Sequence, residues 1–254
     1  MKNTFTFLLA AASLLTGLSA SAQQVDTIKS SKWMKKDFAG AALIGVTYRK
    51  TNLNQLNQIL SANGIPSLGN NNIWINATMD RVFKKVIMED GIGFTPVTKS
   101  EVNGLKTKYN QYNAFLRFGY DVSSSSNYRL FPFAGVNFNA AVLNIQDKKR
   151  IEGTNDFSTE ILNSTSSKTF YQPNVGIDLG AGFDYLIKLR SKQMDNVLLQ
   201  RSIPIGIRAG YYIDAYQGDW KVDSHKLQNG PDNKNSAFFV SLNIGIGYRV
   251  TKTK

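Results

Sequence analysis

From Ser236 to Val250 large apolar residues and small or polar ones alternate with a period of two. Phe238, Val240, Leu242, Ile244, Ile246, Tyr248 and Val250 take the even positions, and Ser241, Asn243, Gly245, Gly247 and Arg249 take odd ones. This alternation predicts a strand with one face against an apolar medium. The glycines decide which face is interior. They stand among the polar residues, where open water has no need of them. A crowded interior does, because backbones and long side chains approach closely there. The polar face is therefore read as the inside, and an apolar outside on a strand implies lipid.

The pattern recurs. Val175–Ile187 sets Val175, Ile177, Leu179, Ala181, Phe183, Tyr185 and Ile187 against Gly176, Asp178, Gly180, Gly182 and Asp184. Ile203–Tyr216 repeats the scheme with Gly206, Arg208, Gly210, Tyr212 and Asp214 inside. Tyr112–Val122 and Leu130–Val142 follow it, and Phe38–Arg49, Ile73–Asp80 and Lys85–Thr95 follow it less regularly. Asp90 falls on the apolar face of its strand, which predicts a bulge or a slipped register there. The expected fold is all-β: a transmembrane antiparallel up-and-down β-barrel of eight strands, with a ten-stranded barrel as the alternative.

The connections are consistent with that count. Residues 50–72, 146–172 and 217–235, all assigned to one end, are the longest; 96–107 at that end runs to about a dozen, and 81–84 and 123–127 at the other are short. Outer-membrane barrels have long external loops, short periplasmic turns and termini in the periplasm. The connection 188–202 is long for a turn, and a short helix over Met194–Gln200 is one reading of it. In the first loop, Leu53–Leu60 has helical spacing and Gly64-Ile65-Pro66 ends it. Tyr48, Trp74, Tyr112, Tyr120, Tyr128, Tyr185, Tyr211 and Tyr248 fall near strand ends, where interfacial girdles place aromatic rings.

The N-terminus adds a compartment. Lys2, an apolar run from Phe5 to Leu18 and Ala20-Ser21-Ala22 read as a signal peptide cleaved before Gln23. The expected organisation is a signal peptide over 1–22, a basic periplasmic lead over 23–37, the barrel over 38–250 and a tail over 251–254. No later stretch offers 18 consecutive apolar residues for a spanning helix. Cysteine is absent, so disulfides are excluded, and with a single histidine so are His/Cys transition-metal sites. Neither a metal nor another cofactor is expected.

The formal charge of +12 is one-sided on this topology. The segments assigned to the periplasm carry 14 Lys or Arg against 4 Asp or Glu; the external loops carry 11 against 8. The excess includes Lys29, Lys32, Lys35, Lys36, Arg81, Lys84, Lys85, Lys188, Arg190, Lys192, Lys252 and Lys254. Basic residues beside anionic lipid are worth about 1 kcal/mol each, so outer-membrane lipid is the expected partner. Nucleic acid is not, because no basic-aromatic recognition motif accompanies the charge.

Inside the barrel, Arg49, Arg117, Arg208 and Arg249 share the predicted lumen with Glu89, Asp121, Asp178, Asp184 and Asp214. An eight-stranded lumen is just wide enough to be filled by side chains. Buried charges there must be paired. Arginine suits the task because its fork binds carboxylates bidentately. The network is read as a structural plug, with a narrow ion path or gate as the sharper alternative. Asp223-Ser224-His225 lies in one loop, and adjacent residues rarely face each other, so no catalytic triad is expected. Gly180-Ala-Gly182 and Gly245-Ile-Gly247 lie inside strands with no helix following, so they are not phosphate loops.

Four segments together resemble the OmpA/OmpX-like small outer-membrane β-barrel domains. They are the leader ending Ala-Ser-Ala-Gln, Pro132–Phe138, Val175–Phe183 and Asn243–Tyr248. The resemblance spans roughly residues 38–250. It implies a bacterial outer-membrane location and a non-enzymatic role as anchor, adhesin, narrow pore or secretion-machine subunit. Such chains usually end on an aromatic residue, whereas Tyr248 here precedes Arg-Val-Thr-Lys-Thr-Lys. No peptidoglycan-binding domain is expected after the barrel. The expectation is a monomer with a structural or binding role through its external loops, toward an extracellular ligand or another envelope protein. Deleting residues 148–168 should then abolish binding and spare folding. A narrow porin, a lipid-modifying enzyme, a barrel protease and a soluble lipocalin-like carrier are the other readings.

Overall fold

A computed structural model describes residues 38–147, 167–194, 197–223, 225–231 and 235–252. The expected signal peptide, the lead segment 23–37, loop residues 148–166 and the last two residues lie outside these. The strands are β1 (Phe38–Arg49), β2 (Ile73–Phe83), β3 (Val86–Phe94), β4 (Thr98–Val102), β5 (Leu105–Tyr120), β6 (Tyr128–Asp147), β7 (Ser167–Lys188), β8 (Lys192–Met194), β9 (Val197–Gln217), β10 (Lys221–Val222), β11 (His225–Lys226) and β12 (Ala237–Lys252). One helix, α1 (Asn54–Ala62), stands in the first loop. Eight strands pair antiparallel in the cycle β1-β2-β3-β5-β6-β7-β9-β12, and β12 returns to β1 over Phe38↔Val250 to Arg49↔Phe239. The wall is closed, so no barrel strand is left with an unpaired edge.

Alternation turns this barrel inside out relative to a water-soluble one. On β12, Phe238, Leu242 and Ile244 are exposed by 76%, 62% and 55%, while Phe239, Ser241 and Asn243 are buried. The outward run from Phe238 to Tyr248 covers eleven positions, and so does that from Phe38 to Tyr48. Both are bounded by aromatic residues and have the length a tilted strand needs to cross the hydrocarbon layer. At the inner edge the Phe38 ring lies 5.1 Å from Phe83 and 5.9 Å from Tyr248. This is a transmembrane barrel with a lipid-facing belt.

The interior glycines make the room that the alternation implied. A Cβ on Gly176 would run into the Tyr212 ring, and one on Gly206 into the Asp184 carboxylate and the Arg208 guanidinium.

The ends differ as expected, with four corrections. The strands extend past the predicted limits: β5, β6 and β7 rise well beyond the belt at the long-loop end. The third connection, 96–107, is mostly a hairpin extension, in which β4 pairs with β5 around Asn103-Gly104. Both turn residues have positive φ, 52° and 83°, as a two-residue type I′ turn requires. The segment 188–202 holds no helix among its described residues. β8 pairs with β9 and lengthens that hairpin, with Val197–Leu199 also paired to β12. Finally, β3 carries no bulge at Asp90, whose register to β2 and β5 is regular. The irregularity lies at Val175/Gly176, where the β9 partner skips from Tyr216 to Asp214.

Candidate functional site in the barrel lumen

The lumen is filled throughout. Val82, Ile87 and Ala39 near the short-turn end join Phe131 and Phe133, and then Tyr212 and Phe239 toward the long-loop end, in one apolar cluster along the interior. Tyr212 is expected on the interior face; Phe131, Phe133 and Phe239 join it, so the lining is aromatic as well as polar.

Against this cluster lies an ionic network. Arg208, 1% exposed, reaches Glu89 at 2.9 Å through Nε, Asp184 at 2.5 Å through Nη1, and Asp80 at 3.5 Å through Nη2. Arg117 bridges Glu89 at 2.7 Å and Asp178 at 2.8 Å. Arg129 reaches Asp184 at 2.9 Å and Asp80 at 3.8 Å. The guanidinium forks are what allow one residue to bind two or three carboxylates from different strands. Rings complete the cage: Arg117 lies 4.2 Å from the Phe115 ring centre, and Arg208 lies 4.8 Å from that of Phe131.

Farther toward the long-loop end, Arg49 is held between Trp74 and Tyr212, at 4.1 and 4.3 Å from the ring centres. Its Nη2 donates to Asn139 at 3.2 Å, and Asn139 donates to the Tyr212 hydroxyl at 2.8 Å. Asn137 donates to Asp178 at 3.2 Å, tying this layer to the ionic one. Four arginines (49, 117, 129, 208) thus share the interior with four carboxylates (80, 89, 178, 184), all buried. A cavity of about 20 Å³ between Arg49, Trp74, Asn113, Arg117 and Asn243 has room for about one water. Among the described residues no group of three His, Asp or Glu side chains is placed to hold a metal ion.

The mouth carries a second core. Leu53, Leu56 and Leu60 are buried at helical spacing and pack with Leu68, Tyr109, Ala141, Leu143 and Trp220. These wall residues sit on the extensions of β5 and β6 and after β9, so α1 seats as a cork within the mouth. Asn57 fixes its return chain, donating to Leu68 O and accepting from Leu68 N, each at 2.8 Å. Thr51 and Asn71 tie both ends of the loop, to Asn72 and to Pro96 O.

Of the nine predicted lumen charges, the structure brings Arg49, Glu89, Arg117, Asp178, Asp184 and Arg208 together. Asp121 is corrected. It caps the β5–β6 turn, accepting from Ser123 N at 2.9 Å. Asp214 sits at the rim of the long-loop end beside Asn235 N and Ser236. Arg249 is half-buried at the opposite end of β12, away from the network. Asp80 and Arg129 were missed, although each has the interior parity of its strand. Arg81, counted in the basic excess of the rim, is ion-paired with Asp90 on the outer face. This pairing explains why Asp90 needs no bulge. His225 is exposed in the β10–β11 hairpin, opposite Val222.

No family model matches the chain, and no curated protein matches it. Solved structures do. A major outer-membrane protein from Thermus thermophilus is similar over 83% of this chain and 98% of its own, at 11% identity and TM-score 0.39. Neisserial surface protein A is similar over 84% and 96%, at 13% and 0.36. Ail, the attachment invasion locus protein of Yersinia pestis, is similar over 84% and 98%, at 11% and 0.37; its structure was solved with the heparin analogue sucrose octasulfate.

Proposed function

We propose that this chain is an exported bacterial outer-membrane barrel with a closed lumen, acting as a structural or binding protein through its external end. The observation that carries the reading is the triple closure. An apolar cluster interleaved with an ionic network fills the lumen, and the α1 cork sits at its long-loop mouth. An ion crossing such a path would have to displace paired charges that cost several kcal/mol to separate. The long strand extensions, by contrast, hold a folded external platform that the membrane does not need.

Conductance in a planar bilayer tests the reading. The protein should insert without opening steps, and a variant lacking residues 54–69 should stay closed at the ionic layer. Steady single-channel conductance of the intact chain would favour a narrow pore instead. The role is proposed to be non-enzymatic, with His225 a solvated loop residue. His225→Ala should leave any lipid-modifying or proteolytic activity of the preparation unchanged.

A further inference from the structure

The outward wall just beyond the lipid belt carries lysines in an arrangement that the fold alone disfavours. The β4–β5 register sets Lys99 directly opposite Lys108 and Glu101 opposite Lys106. All four side chains project outward, because the alternate positions Thr107 and Tyr109 are buried in the interior. Lys108 lies opposite Asn144, and Asn144 opposite Thr169, so the row continues across β6 and β7. One row nearer the belt, Asn110, Val142, Tyr171 and Lys221 lie side by side. The Lys221 ammonium stands 5.8 Å from the Tyr171 ring. Among the described residues, lysines 99, 106, 108 and 221 share this wall with Glu101, while Lys226, opposite Lys221, is paired with Asp219 at 3.4 Å.

Like charges directly opposed across an antiparallel pair destabilise it. Lys99 and Lys108 are such a pair, on a hairpin whose turn and register are otherwise regular. Their height is informative. Lys108 is four residues beyond Tyr112, the last outward ring of the β5 belt. That is about 13 Å along the strand, or about 10 Å in height at the tilt of such barrels. Lysine stems lie along apolar surface while the ammonium seeks a polar layer, so side chains here reach down to headgroup depth. Lys168 offers the contrast: it lies on the same wall but on the inward face, toward the mouth. A soluble anion would be served equally well by either face, whereas only the outward one meets the membrane.

We infer that the outward patch of Lys99, Lys106, Lys108 and Lys221, with Asn144 and Thr169, binds anionic phosphate groups of lipid headgroups in the leaflet that surrounds the long-loop end. This rests on the membrane-barrel reading proposed above. The headgroup phosphate lies between Lys99 and Lys108 and turns their repulsion into a shared contact.

The test uses the full chain in detergent, titrated with phosphatidylglycerol or phosphatidylcholine, with bound lipids counted by native mass spectrometry. The wild type should retain phosphatidylglycerol preferentially. K99Q/K106Q/K108Q should weaken the tightest-bound lipid by about fivefold per lysine removed, and K168Q should not change it. Inorganic phosphate at millimolar concentration should not displace the lipid. Lys99→Glu separates this from a purely structural role: it should tighten the hairpin by pairing with Lys108, yet lose the lipid. Equal retention by the triple variant, retention by K99E, or displacement by inorganic phosphate would each overturn the inference. Should the chain prove soluble without detergent, the membrane reading itself fails; a detergent-dependent chain that does not discriminate lipids sinks only this inference.

Discussion

Arg208→Met removes the centre of the lumen network while keeping most of the side-chain volume. Arg208 contacts three carboxylates within 3.5 Å, and those acids are essentially without water. Glu89 would keep Arg117, and Asp184 would keep Arg129, but Asp80 would be left with one contact at 3.8 Å. The interior would hold three arginines against four acids. Breaking a buried pair by removing one partner costs about 3–5 kcal/mol, and the variant should lose that much. Adding Glu89→Gln restores the balance and should recover about half of it. Coupling between contacting residues of one network commonly reaches 0.5–3 kcal/mol. Urea unfolding in micelles, followed by tryptophan fluorescence with Trp74 in the interior, measures both. A loss below about 1 kcal/mol for R208M, or a double variant no better than the single, would refute the claim that charge balance holds the interior.

Three further outcomes follow from the same geometry. Leu60→Ala should cost the external core about 2–5 kcal/mol, read as an early transition by hydrogen exchange in α1 while the barrel strands stay protected. Gly176→Ala should cost about 1–3 kcal/mol in the same urea assay, because its Cβ meets the Tyr212 ring. Asp90→Asn leaves Arg81 without its partner on the lipid side and should cost about 1 kcal/mol, recovered by Arg81→Met; an unchanged midpoint for D90N would mean that the pair contributes nothing.

Period two made the barrel legible, because lipid outside and a packed interior leave few ambiguous positions in the belt. Phe38–Arg49 is read to the residue for that reason. The pattern fades where β5, β6 and β7 rise past the hydrocarbon belt: the outward positions there are polar (Lys106, Lys108, Asn144, Gln146), so their alternation with Thr107 and Leu143 is weak. Asn103-Gly104 is a short-range hairpin signal within a stretch whose alternation is too weak to mark strands. Asp80 and Arg129 sit at the limits of the alternating segments, where parity has too few neighbours to mark a face. Asp121 and Asp214 have interior parity but lie where strands end, which alternation alone does not register. The spacing of Leu53, Leu56 and Leu60 revealed a helix. Their burial against Tyr109, Leu143 and Trp220 depends on long-range pairing that no local pattern carries.

The central claim is the inverted face assignment, and neighbouring positions on one strand test it most directly. The chain has no cysteine, so single cysteines at Leu242 and Asn243 can be spin-labelled cleanly in lipid vesicles. Leu242 is 62% exposed and Asn243 is 8% exposed. The account predicts that the label at 242 collides with membrane-dissolved oxygen, while the label at 243 is immobile and shielded from it. A water-accessible label at 242 with a lipid-accessible one at 243 would contradict the account outright.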